Sequence, residues 1–242
     1  GPDGGESVRF TQIVAPTVKE LFIQRMESLI LSGELPIGAA LPSEREMAEQ
    51  MGISKTAVHT GVADMERKGF LRVVPRQGIF INDYARYGTL EVLASIMQHD
   101  GGGLDSRNVR SMIEMREAIE SVALKRTIEK RDPAVTAGLE AMVAEAWQLV
   151  GTAPIDYMQL GELYFRFHHA ICVASGNTIA PLILNAFRGP SITFWSNSAR
   201  ALGPEESVGR LERFARLIAE GDAEGACAHL RQITESSEQV VR

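Results

Sequence analysis

The 242-residue chain is 45% hydrophobic and 23% charged, the balance of a globular protein with room for one large domain or two smaller ones. Its net charge of −6 excludes a protein that holds nucleic acid by overall charge, and no apolar run reaches the roughly 18 residues needed to cross a bilayer. Cys172 and Cys227, neither in a CxxC pair, exclude a disulfide framework and a thiolate metal centre; with an opening GPDGGESVRF that lacks the apolar stretch of a secretion signal, a cytoplasmic location is expected.

Residues 17–32, TVKELFIQRMESLILS, carry apolar residues at helical spacing and stop at Gly33. After the loop ELPIGAALP, Ser43 stands three residues before Glu46, the spacing of a capping box, so a second helix is expected up to Gly52. Ser54 is the expected N-cap of a third helix that ends at Gly69. Along it Val58, Val62 and Met65 form one stripe, expected to pack on Met47, Met51 and the first helix. Thr56, His59, Thr60 and Ala63 lie opposite, small or polar enough for close approach to base edges. FLRVV-PRQG-IFIN reads as a hairpin with Arg76 at its tip. Residues 54–76 hold Lys55, Arg67, Lys68, Arg72 and Arg76 against Asp64 and Glu66, so any DNA contact is local and salt-sensitive.

The composition changes after Asn82. DYARYGTLEVLASIMQHDGGG reads as a short helix between flexible ends, a linker over residues 83–105 whose Gly101-Gly102-Gly103 would transmit or absorb movement. Beyond it only helices are expected, over 105–131, 134–150, 155–175, 178–199, 204–220 and 222–240, with Gly189-Pro190 as the candidate break in the fourth. The expected fold is mainly α: a winged helix-turn-helix over residues 14–82 and an all-α helical bundle over residues 106–240.

Within the bundle, Met112, Met115, Ile119, Val122 and Ala123 project as one stripe, with Arg116 inside it. An arginine there either pairs with a buried carboxylate, for which Glu120 is one turn away, or faces a cavity, because an unpaired buried guanidinium is costly. Tyr164, His168 and Ile171 share one face of a later helix, where a lone histidine is either a satisfied core residue or a ligand-binding one. Trp195 and Asn197 are further pocket candidates, with a core or dimer role equally open for Trp195.

The segment ELPIGAALPSEREMAEQMGISKTAVHTGVADMERKGFLRVVPRQGIFI resembles the winged-helix domain of GntR-type bacterial transcription regulators: the LPSERE-MA segment, the GIS-x-T turn, the Gly69 stop and the Arg76-x-Gly78-x-Phe80 wing all match. The resemblance implies DNA contacts from Arg45, Ser54, Lys55, Thr56, His59, Thr60, Arg76 and Gly78. The chain departs from the family at His59, where arginine is usual, at Thr60, where glutamate is usual, and at Ile79, where threonine is usual. EMREAIES, FHHAICVASGN and RFARLIAEGDAEGA resemble the C-terminal FCD domain of the FadR subfamily. That resemblance implies a homodimer binding a palindromic operator, most often as a repressor, with a small organic acid or sugar acid held by Arg116, Glu120, Tyr164, His168, Trp195 and Asn197. Family members that bind a metal have aspartate four residues before the histidine and further histidines near positions 211 and 233. Tyr164, Leu211 and Ile233 stand there, and adjacent His168 and His169 point about 100° apart. No metal or other cofactor is therefore expected. The rival readings are a metal-dependent enzyme built on the helical domain, against which no Glu-x-x-His pair, nucleophile elbow or phosphate loop is found, and a ligand-free architectural DNA binder.

Overall fold

The computed structural model describes residues 10–99 and 105–240, so Gly101-Gly102-Gly103 lie outside the described residues. The chain forms two compact units, Gly1–Val92 and Leu93–Arg242.

The first unit contains α1 (Val18–Leu31), α2 (Glu44–Met51), α3 (Lys55–Lys68), β1 (Leu71–Val74), β2 (Gly78–Ile81) and α4 (Tyr84–Tyr87). Both α1 and α2 begin with reciprocal capping boxes, Thr17 with Glu20 and Ser43 with Glu46, which satisfy amides that the first turn leaves unpaired. α2 stops at Gly52 in the left-handed conformation, and α3 stops the same way at Gly69. β1 and β2 pair antiparallel from Leu71↔Ile81 to Val74↔Gly78, and residues 38–41 bond to the outer edge of β2. Phe22, Ile23, Met26 and Ile30 of α1 are buried with Met47, Val58, Val62, Met65, Phe70, Leu71 and Ile81. Met51, expected against α3, is exposed, because it is the last residue of α2 and the chain turns away at Gly52. The segment expected to hold one short helix carries two, α4 and α5 (Leu90–Gln98), separated by Gly88 and Thr89.

The second unit continues with α6 (Ser106–Lys130), α7 (Pro133–Val150), α8 (Tyr157–Ala174), α9 (Ala180–Ala186), α10 (Arg188–Leu202), α11 (Pro204–Glu220) and α12 (Ala223–Val240). α8 is the central rod, with Leu160, Leu163, Phe167 and Cys172 fully enclosed among residues of α6, α7, α10 and α11. At Gly161 an added Cβ would lie 2.6 Å from the carbonyl oxygen of Ile192, so α8 and α10 meet almost backbone to backbone. The apolar side of α6 differs from expectation. Met112 and Ala123 are buried, but Met115 and Val122 are about half exposed, and Ile113, Leu124 and Ile128 take their place in the core. The break in the fourth expected helix comes at Phe187, ahead of Gly189-Pro190. Pro190 then falls in the first turn of α10, where its missing N–H costs no helical bond.

Candidate functional site

Two arrangements have functional character, one in each unit. On α3, Ser54 caps the start by accepting a hydrogen bond from the Ala57 amide (3.1 Å). Val58, Val62 and Met65 point inward, and Gly61 lets α1 approach so closely that a Cβ there would lie 2.4 Å from Phe22 Cδ1. Lys55, Thr56, His59, Thr60 and Ala63 are left exposed. Thr60 Oγ1 donates to the Thr56 carbonyl (2.9 Å). Arg45 is exposed on α2, with Nε 3.3 Å from Glu49 Oε1. His59 Nδ1 lies 2.9 and 3.0 Å from the two carboxylate oxygens of Glu44, a pairing not legible from residue spacing. In the wing, Arg76 adopts φ 65° and Gly78 φ 126°, and the Gln77 amide donates to the Val74 carbonyl (3.0 Å), which sets Arg76 on the exposed tip.

In the second unit, a cavity of about 60 Å³ is walled by α6, α8, α10, α11 and α12. Arg116, Tyr164, His168 and Trp195, all expected there, line it together. Glu120 lies behind this wall, 2% exposed, with Oε1 3.1 Å from His168 Nδ1 and Oε2 3.8 Å from Arg116 Nε. These separations are those of ion pairs, but neither has the direction of a hydrogen bond. Nε and Nη1 of Arg116 and both oxygens of Glu120 have no hydrogen-bond partner among the described residues. The Arg116 guanidinium lies over the Trp195 indole (4.3 Å to the centroid), and the His168 ring stacks on the same indole at 4.9 Å.

Burial pulls the Arg116 guanidinium below its ordinary value, against the attraction of Glu120. Burial also opposes ionisation of Glu120, but His168 and Arg116 outweigh it and hold that carboxyl below its ordinary value. Burial pushes the Tyr164 phenol up to about 12, partly offset by its 2.7 Å hydrogen bond with Ser207, so Tyr164 is a neutral hydroxyl at physiological pH. Asn197 does not join the site. It is exposed, because 200° of helix separates it from Trp195, whereas Ser198 falls on the cavity side. Sequence reading also missed Ser207, Arg210 and Ser237, polar residues beside the apolar stripes of α11 and α12.

The wall does not suit a metal ion. The positions that would supply ligands hold Tyr164, Leu211 and Ile233 beside His168, giving one imidazole, one neutral phenol and two hydrocarbons. His229 is committed elsewhere, its Nε2 2.8 Å from the Arg210 carbonyl. Among the described residues no group of three or more His, Cys, Asp or Glu side chains converges.

Residues 111–236 match the FCD domain family, and residues 19–81 match the gntR family of bacterial regulatory proteins. The chain belongs to the FCD branch of the GntR regulators. It is a transcriptional regulator rather than an enzyme, as are its relatives. Over 215 residues it is 27% identical to the HTH-type transcriptional regulator Mce2R of Mycobacterium tuberculosis, covering 87% of this chain and 85% of that one. Over 179 residues it is 26% identical to the fatty acid metabolism regulator protein of Shewanella denitrificans, covering 72% and 71%. The solved structure of Lar, which controls expression of the agr system in Listeria monocytogenes, shares the fold at a TM-score of 0.61 and 15% identity, over 95% of this chain and 98% of that one. Among the described residues no helix is long and apolar enough to cross a membrane.

Proposed function

We propose that this GntR regulator is a homodimeric repressor that binds a near-palindromic operator and is released by a small carboxylic acid. The DNA half of the reading uses the exposed face of α3 in the major groove, with Lys55, Thr56 and His59 toward base edges, Arg45 and the amides after Ser54 toward phosphate, and Arg76 and Gly78 of the wing beside them. Two copies related by a twofold axis meet two half-sites.

The observation that carries the effector half is Arg116, a buried guanidinium on a cavity wall with two nitrogens short of an acceptor. A carboxylate supplies planar acceptors that match a guanidinium. Tyr164, Ser198, Ser207 and His168 offer further polar contacts, while Phe194, Leu202, Leu211, Phe214, Leu230 and Ile233 form an apolar remainder. The cavity is far smaller than the roughly 300–1,000 Å³ that drug-sized ligands fill, which points to an acid of few heavy atoms. The names of the Shewanella relatives, regulators of fatty acid metabolism, agree with this chemistry. A ligand-free architectural role leaves the charged cavity unexplained.

Tenfold release from the operator requires only about 1.4 kcal/mol of differential binding. The test is a mobility-shift titration of the full chain on its selected operator with a panel of short carboxylic acids. An acid that weakens the complex at least tenfold in wild type, and not in Arg116→Met, supports the proposal. A panel with no effect on either protein sinks the effector half.

A further inference from the structure

This inference rests on the reading that α3 faces DNA, and concerns how one of its residues is aimed. The His59 side chain is 69% exposed, yet its Nδ1 is held by both oxygens of Glu44, the first residue of α2. An ionised carboxylate only accepts hydrogen bonds, so Nδ1 is the nitrogen that carries hydrogen whenever this contact stands. The outward polar atom of the ring is then Nε2. In the neutral ring Nε2 is an acceptor, whose complement in the major groove is an amino group, cytosine N4 or adenine N6. In the protonated ring Nε2 is a donor, whose complements are guanine O6 or N7, adenine N7 and thymine O4. A neutral imidazole without Glu44 is free to place its hydrogen on Nε2 instead, and the distinction is lost.

We propose that Glu44 is a positioning residue that fixes the His59 tautomer, so that the pair reads an amino-bearing base when the ring is neutral and an acceptor such as guanine O6 or N7 when it is protonated. The other charges around α3 are spoken for. Arg45, next to Glu44, is turned to Glu49 (3.3 Å). From α1, Lys19 is bound by Asp64 (2.8 Å) and Glu27 by Lys68 (3.2 Å). From β1, Arg72 lies over the Phe80 ring, and at the end of α3 Arg67 is held by Glu91 (2.8 Å). On α3 itself Lys55 is one turn before His59, while Thr56, Val62 and Ala63 carry no charge. Glu44 is thus the charged group in contact with the ring. The two readings differ only by the proton on Nε2.

The test selects duplexes from a random pool with the full chain at about pH 8 and about pH 6. Affinities are then measured for the four base pairs at each operator position, using wild type, Glu44→Gln and His59→Gln. At one position of each half-site, wild type should favour cytosine over guanine by about fivefold at the higher pH and reverse at the lower. Glu44→Gln should compress that preference to within about twofold while still binding, because an amide both donates and accepts. His59→Gln should bind with a base preference that ignores pH. A protein that selects a defined operator whose preferences are the same at both pH values, and the same in Glu44→Gln, overturns the proposal and leaves the DNA-binding surface intact. A pool from which nothing is enriched at either pH overturns both.

Discussion

Replacing Arg116 with methionine separates a functional guanidinium from a structural one. Methionine keeps much of the length and packs well among Trp195, Phe194 and Leu230. The substitution relieves two buried donors that lack an acceptor, at roughly 1–3 kcal/mol each. It forfeits the contact with the Trp195 face, roughly 0.5–2 kcal/mol, and an attraction to Glu120 acting across 3.8 Å. Glu120 keeps His168 3.1 Å away, without the direction of a hydrogen bond. These terms oppose one another, so Arg116→Met should cost less than about 3 kcal/mol of unfolding stability. A well-formed buried pair that loses one partner costs about 3–5 kcal/mol instead. Urea unfolding followed by tryptophan fluorescence and circular dichroism measures the difference, and thermal shift with the acid panel reads the response. A loss above 3 kcal/mol together with an undiminished thermal shift would show that Arg116 is a strut and that the reasoning is wrong.

Gly61→Ala should destabilise the protein by about 1–2 kcal/mol in chemical unfolding despite the better helix propensity of alanine, because the new methyl meets the buried Phe22 ring; a gain in stability would mean that α1 yields freely. Burial holds His229 below its ordinary 6.5, so the unfolded chain takes up that proton first and stability falls as pH drops below about 6.5. Glu120 lies below its ordinary 4.5, so its contribution is present above that pH and is lost as pH falls through its folded value. Stability curves against pH should therefore decline in two stages, and His229→Gln should remove the first; an unchanged first stage would assign it to another group. Burial pushes the Cys172 thiol up to about 12 and raises Cys227, so neither should react with a thiol reagent at pH 8 until the protein unfolds, and rapid labelling of the native protein would contradict their burial.

The helix ends of the first unit were legible in the sequence because they are local chemistry. Ser43 with Glu46, Gly52, Ser54 and Gly69 each act on amides or carbonyls within four residues, and no distant partner can overrule them. The split between the exposed and buried sides of α3 was legible for a similar reason, since Val58, Val62 and Met65 are its only large apolar residues. α6 was harder. It carries apolar residues on more than one side, and the neighbouring helices decide which are covered, so Met115 and Val122 lost to Ile113 and Leu124. Arg116, Tyr164 and His168 announced themselves as polar residues on apolar stripes, and Glu120 was in reach of Arg116 by spacing alone. Ser207, Arg210 and Ser237 carried no such mark, because a serine or arginine at the margin of an amphipathic helix looks the same whether it faces water or a cavity. The Glu44–His59 contact was hidden because it joins residues 15 positions apart through the angle between two helices.

Gly161 sets the approach of two helices that carry walls of the cavity. The helix bearing His168 and the helix bearing Trp195 meet where Gly161 offers only a hydrogen atom, a position that does not line the cavity. A carbon atom added there meets the Ile192 carbonyl oxygen, so the spacing of two cavity-bearing helices is open to change with every wall residue kept.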